Sequence, residues 1–212
     1  MSDCDIHREV ICIVGPPESG KSYLARKFYG RANRALVISY DEKDQYPGVT
    51  CQTFDALTER CSSSFFRAVY YPERDHTVHP DVDPFTAALQ LVELLQTESK
   101  KRHGRPEPFL IAIEEITIYL DFKEPFGVFG RLARQGRHIG VDLVVTTQAP
   151  TEFPLFLRNA MTQYFFFQTV EINALEFVRK TLGPEAEAMV RNLPQYVPLH
   201  YDRTTREITP RP

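Results

Sequence analysis

No run in this sequence is apolar for long enough to span a bilayer, because charged or polar residues interrupt even the longest. The segment behind Met1, Ser2-Asp3-Cys4-Asp5-Ile6-His7-Arg8, is polar, so no secretory leader is expected and an intracellular, soluble protein is. Cysteine is scarce. Cys4, Cys12, Cys51 and Cys61 form no C-x-x-C pair, which argues against both a disulfide framework and a thiolate metal site and leaves buried, idle thiols. Basic excess is missing as well: 25 Lys and Arg face 28 Asp and Glu, a formal net charge of −3. That balance excludes an all-over basic coat for nucleic acid but leaves a local basic surface open. Low-complexity tracts and internal repeats are absent, and 212 residues suffice for one domain with a full core.

What the chain does contain is a phosphate-loop signature. The apolar run Val10-Ile11-Cys12-Ile13-Val14 leads into Gly15-Pro16-Pro17-Glu18-Ser19-Gly20-Lys21-Ser22, matching G-x-x-x-x-G-K-[ST] at every fixed position. Gly15 lets the chain turn off a strand, and Gly20 lets backbone N–H groups approach a phosphate with no Cβ in the way. Those N–H groups and a helix starting at Lys21 present partial positive charge to an anion. Lys21 is expected to reach β- and γ-phosphate oxygens and the Ser22 hydroxyl to ligate Mg²⁺, which makes ATP and Mg²⁺ the expected ligands. A chance glycine-bounded turn is the alternative; the strand before and the helix formers Tyr23-Leu24-Ala25-Arg26-Lys27 after weigh against it.

The rest of the chain alternates strands with helices. Strands are expected at 35–39, 49–54, 65–71, 109–113, 141–146 and 163–170, and helices at 21–29, 126–136, 154–161, 171–182 and 184–193. Gly30 should end the first helix, Asp55 should cap a short one to Cys61, and Asp83-Pro84 should open a longer one. Leu89, Val92 and Leu95 give that longer helix an apolar stripe, widened by Ala88, Leu91 and Leu94. It ends in Lys100-Lys101-Arg102-His103-Gly104-Arg105, a basic knot that either complements the helix dipole or faces nucleic acid. Residues 196–201 and 207–209 should close the chain as a hairpin. The pattern implies an α/β fold: a mainly parallel central sheet flanked by helices, with a short C-terminal hairpin.

Two further blocks carry chemistry. Phe109-Leu110-Ile111-Ala112-Ile113 runs straight into Glu114-Glu115. Carboxylates at the carboxyl end of a buried parallel strand sit where such folds gather ligand groups. One can serve the metal and the next an attacking water; a solvated loop start is the plainer alternative. The aromatic run Tyr164-Phe165-Phe166-Phe167 invites comparison with a base-stacking platform, but consecutive aromatics in a strand between helices fill both faces of a sheet, so core is expected.

Three blocks together resemble the FtsK/HerA superfamily. Gly15 to Ser22 looks like Walker A and Leu110 to Glu115 like Walker B. Leu132-Ala133-Arg134-Gln135-Gly136-Arg137-His138-Ile139-Gly140, followed by a strand ending in Thr147-Gln148, is similar to the family's arginine-bearing helix and T-Q strand end. Having little before the loop or after the last helices, the chain looks like a bare motor, similar to the genome-packaging ATPases of tailless viruses with an internal membrane. The resemblance implies a RecA-like P-loop NTPase core that hydrolyses ATP with Mg²⁺. It implies a homo-oligomeric ring, a hexamer, around double-stranded DNA, working with capsid or membrane-vertex proteins in the host cytoplasm or the virion.

Residue by residue, the resemblance implies that Lys21 and Ser22 bind phosphates and Mg²⁺, and that Glu114 serves the metal from one layer out. Glu115 would activate water and Gln148 sense the γ-phosphate. Arg137, in the R-x-x-G place, or Arg134 would reach a neighbouring subunit as an arginine finger. Ordinary surface ion pairs are the alternative for Arg131, Arg134 and Arg137. Walker B departs from the common Asp-Glu pattern in being Glu-Glu, and the longer first carboxylate still reaches a metal-bound water. Lys123, Arg131 and the basic knot are expected in the channel. Two other roles fit the same blocks: a phage morphogenesis or secretion ATPase needing a partner's membrane anchor, and a nucleotide-dependent assembly switch.

Overall fold

The apolar runs become strands of one sheet, and their alternation explains why they are continuous. In β1 (Val10–Val14), Cys12 and Val14 enter the larger core cluster while Ile11 and Ile13 enter the smaller one on the opposite face. The same split divides β2 (Arg34–Ile38), β5 (Phe109–Ile113), β6 (Val141–Thr147) and β7 (Gln163–Phe166). A strand with both faces covered leaves few positions for a polar residue. The computed structural model describes residues 9–40, 46–78, 81–120 and 127–211, without the side chain of Arg137; Cys4 and Lys123 lie outside the described residues.

With β3 (Val49–Cys51), β4 (Phe66–Tyr70), β8 (Leu199–Asp202) and β9 (Glu207–Pro210), the described residues form a nine-stranded sheet of order β3-β4-β2-β5-β6-β1-β7-β8-β9. All pairings from β3 to β7 are parallel; β8 and β9 add the expected antiparallel hairpin. The smaller core face is covered by α1 (Lys21–Tyr29) through Ala25 and Tyr29. The larger face carries α2 (Phe54–Cys61), α3 (Pro84–His103), α4 (Val128–Ile139), α5 (Leu155–Ala160), α6 (Ile172–Leu182) and α7 (Pro184–Arg191). This is the RecA-like P-loop NTPase architecture. Tyr164 to Phe167 are all buried, so the aromatic run is core.

Several boundaries differ from the sequence-based expectation, each for a local reason. Thr53, not Asp55, caps α2, its hydroxyl accepting from the Ala56 N–H at 3.2 Å. Asp83 caps α3 as expected, but Leu94 is 59% exposed and falls off the apolar stripe. Gly30 ends α1 in a right-handed conformation, so it is not there for its conformational freedom. The fourth helix runs past Gly136 to Ile139, placing Arg137 inside α4 rather than beyond it. Gly136 serves close packing, since a Cβ there would lie 3.1 Å from the Val141 carbonyl oxygen; Gly140, at φ +77°, is the terminator.

Below the sheet, Gln96 ties three elements together. Its amide donates to the carbonyls of Glu107 and Ile139, both at 2.7 Å, and its side-chain oxygen accepts from Arg34 at 3.1 Å. Gln96 is 1% exposed. Gln96→Ala is therefore expected to destabilise the fold by about 1–3 kcal/mol, the cost of leaving buried polar groups unpaired, and urea unfolding measures it.

Candidate active site

Because β1, β5 and β6 are parallel neighbours in the order β5-β6-β1, their carboxyl ends share one edge of the sheet. The glycine loop leaves β1 there, Glu114-Glu115 leave β5 there, and Thr147-Gln148 leave β6 between them. The loop is tied to that edge by the Gly15 N–H donating to the Thr147 carbonyl at 3.2 Å. Side chains at Gly15 and Gly20 are excluded by geometry. A Cβ at Gly15 would fall 2.8 Å from Phe167 Cβ and 2.6 Å from Ser19 Oγ, and Gly20 holds φ +103°. Pro16, Pro17 and Glu18 form the arch of the loop, with Glu18 left-handed at φ 58°.

The first turn of α1 has no side-chain cap and no acidic residue, as an anion site at a helix start requires. Lys21 is buried under the loop, its Nζ donating to the Pro16 carbonyl at 2.9 Å. Ser19 Oγ is buried and finds no hydrogen-bond partner among the described residues. An orphaned hydroxyl, a lysine turned onto a carbonyl and a cradle closed to Cβ atoms all fit a loop shaped for phosphate. A cavity of about 1090 Å³ opens at Gly20, Lys21, Ser22 and Tyr196 and runs along α1 to Arg31 and Gln163.

The two glutamates are held differently. Glu114 is 3% exposed, and hydroxyls surround it. Ser22 Oγ donates to its Oε2 at 3.3 Å, Thr146 Oγ1 donates to the same oxygen at 2.8 Å, and the Tyr46 hydroxyl donates to Oε1. The oxygen-only pair of Ser22 and Glu114 suits a hard divalent cation such as Mg²⁺. Glu115 breaks from the strand into a left-handed conformation, φ 46° and ψ 58°, a strain of about 1–3 kcal/mol that turns its side chain away from Glu114's face. Its N–H donates to Thr146 Oγ1 at 2.9 Å. Its carboxylate accepts the Gln148 main-chain N–H at 2.8 Å and the Gln148 amide at 3.2 Å. Beneath the edge, burial and then the Glu115 charge push the Cys12 thiol well up, keeping it inert.

Lys21, Ser22, Glu114, Glu115 and Gln148 thus converge within one chain. Arg134 does not join them: its Nε donates to the Gly130 carbonyl at 3.0 Å and its guanidinium lies 5.7 Å from the Phe156 ring centre. It shares a cavity with Val10 and Thr162, at the edge where β1 and β7 begin. Arg137 lies farther along α4 in the same direction. Arg131 makes a two-point contact with Glu93, at 3.1 and 2.9 Å. The basic knot forms the last turn of α3, where Lys101 pairs with Glu98 and Gly104 adopts φ +73°. Sequence reasoning missed Thr146 and Tyr46. Thr146 stands two residues after the buried Val144, so strand parity puts it on the same face as Glu114, but only the β5–β6 register reveals the contact.

Sheet order, glycine loop and paired glutamates give the chain the fold of the RecA-like P-loop NTPases. Among these, the chain has the fold of viral genome-packaging NTPases and resembles FtsK/HerA-type packaging ATPases. The genome-packaging NTPase B204 of Sulfolobus turreted icosahedral virus 2, bound to ATP-gammaS, superposes with a TM-score of 0.74 at 21% identity, covering 97% of each chain. B204 of Sulfolobus turreted icosahedral virus, a DNA-packaging ATPase, gives 0.72 at 20% identity over 96% of this chain and 97% of that one. VirB4 of Thermoanaerobacter pseudethanolicus gives 0.64 at 13% identity, covering 98% and 90%. In sequence, 142 residues are 28% identical to Protein P9 of Pseudoalteromonas phage PM2, a match spanning 66% of this chain and 59% of P9. No family model matches the chain. No helix among the described residues is long and apolar enough to cross a membrane.

Proposed function

We propose that this chain is the ATP-hydrolysing motor of a viral genome-packaging machine, acting as a homo-oligomeric ring, a hexamer, that translocates double-stranded DNA. The observation that carries the reading is the convergence of Lys21, Ser22, Glu114, Glu115 and Gln148 on one sheet edge, in a fold shared end to end with B204. The backbone of residues 15–22 would bind the phosphates, with Lys21 leaving the Pro16 carbonyl for β- and γ-oxygens. Ser22 and Glu114 would hold Mg²⁺, which draws negative charge from the phosphate oxygens. Glu115 would take the proton of the attacking water as its oxygen bonds to the γ-phosphorus and the bond to ADP breaks. That role requires the carboxylate to be released from the Gln148 amide, and a γ-phosphate oxygen is the competing acceptor for that amide.

A mildly acidic chain is compatible with DNA in the channel, since each basic contact repeats around a ring. The test is steady-state ATP hydrolysis with and without duplex DNA, run across protein concentration. Stimulation by DNA and a rate rising faster than linearly with concentration are expected. A rate indifferent to DNA removes the translocase; if Lys21→Ala then abolishes assembly while Glu115→Gln preserves biological function, the assembly-switch reading replaces it.

A further inference from the structure

We propose that Tyr46 is a positioning residue for the Mg²⁺ site, acting through Glu114; the proposal rests on the nucleotide-site reading above. A carboxylate buried to 3% exposure must be hydrogen-bonded to stay charged, and its terminal torsion is soft, so its donors decide where its oxygens point. The donors on Glu114 are divided. Ser22 and Thr146 both address Oε2, on the side of the glycine loop, whereas Tyr46 addresses Oε1. The phenol thus holds the oxygen that Ser22 and Thr146 do not address, and resists rotation of the carboxylate about its soft terminal torsion.

The phenol is itself rigidly placed. Tyr46 is 8% exposed and meets the Tyr29 ring edge-on, with centres 5.5 Å apart and planes at 86°. Tyr29 is anchored in turn by its hydroxyl donating to the Ala68 carbonyl at 3.4 Å. The connection between β2 and β3 therefore sends the Tyr46 side chain across the α1 face to the metal-side carboxylate. An outer partner of this kind fixes the direction of a metal-serving group and thereby the affinity for the ion.

The experiment is a MgCl₂ titration of the binding of a fluorescent ATP analogue to the full chain, with binding in EDTA as the baseline. Tyr46→Phe is expected to raise the half-saturating Mg²⁺ concentration about tenfold while the EDTA baseline stays at the wild-type value. Tyr29→Phe, which loses a hydrogen bond in the same cluster but none to Glu114, is expected to titrate like the wild type. An unchanged Mg²⁺ requirement in Tyr46→Phe, or an equal shift in Tyr29→Phe, overturns the proposal. Should Tyr46→Phe fail to fold, Tyr46→His, whose ring N–H can reach only part of the way, takes its place. A smaller rise is then expected, and none overturns the proposal. A wild-type chain that binds no analogue at any Mg²⁺ concentration overturns the nucleotide-site reading as well; a wild type with normal Mg²⁺ dependence matched by Tyr46→Phe overturns this inference alone.

Discussion

Glu115→Gln is expected to lower ATP turnover by about 10²–10⁴-fold while leaving nucleotide affinity within a few-fold of the wild type. The amide keeps the shape of the side chain and can still receive the Gln148 main-chain N–H on its oxygen, so the left-handed turn at Glu115 and the Thr146 contact should persist. What it loses is the capacity to take a proton. Single-turnover hydrolysis beside equilibrium binding separates the two effects. A variant that hydrolyses at the wild-type rate shifts the proton acceptor elsewhere, and one that no longer binds nucleotide makes Glu115 a structural residue.

The second large effect belongs to the arginines of α4. This helix carries the chain from the edge where the glycine loop sits back toward the start of β6, and that seven-residue strand is about 23 Å long. Arg134, packed on Phe156 and sharing a cavity with Val10 and Thr162, points into that far region. In the proposed ring, an α4 arginine would therefore serve the γ-phosphate of a neighbouring subunit rather than its own. Arg137→Ala is expected to cut turnover by about 10³-fold or more, with Arg134→Ala doing less. Lys21→Ala and Arg137→Ala chains, each inactive alone, should recover measurable hydrolysis when mixed, because some interfaces then join an intact loop to an intact arginine. No recovery at any mixing ratio rules out action between subunits.

How far the site could be read from the sequence depended on where each residue sat in its element. Gly15, Glu114 and Gln148 each stand at or just past the end of an apolar run, and parallel pairing forces such ends onto one edge. Lys21 and Ser22 open a helix and were equally visible. Thr146 lies inside a run, where a hydroxyl looks like any β-branched residue, and its partner is fixed by register alone. Tyr46 sits in a connection with no periodicity, so nothing local points at Glu114, 68 residues away. At α4, Gly136 resembles a helix terminator in the sequence, whereas its lack of a Cβ serves the close approach of Val141. Helix caps followed side-chain chemistry closely at Asp83 and less closely at Asp55, where Thr53 was the better-placed acceptor.

Gln148 touches Glu115 twice, once through the main chain and once through the side chain. The two contacts differ in what it takes to break them. Losing the main-chain bond requires the end of β6 to move, and β6 is paired on both sides within the sheet. Losing the amide bond requires only that one exposed side chain change rotamer, a picosecond-to-nanosecond event. In the proposed cycle Glu115 therefore comes free still aimed by the strand, and arming the site takes far less time than any turnover. The clock of such a motor would be set outside the subunit, by how often a neighbour brings its arginine into place.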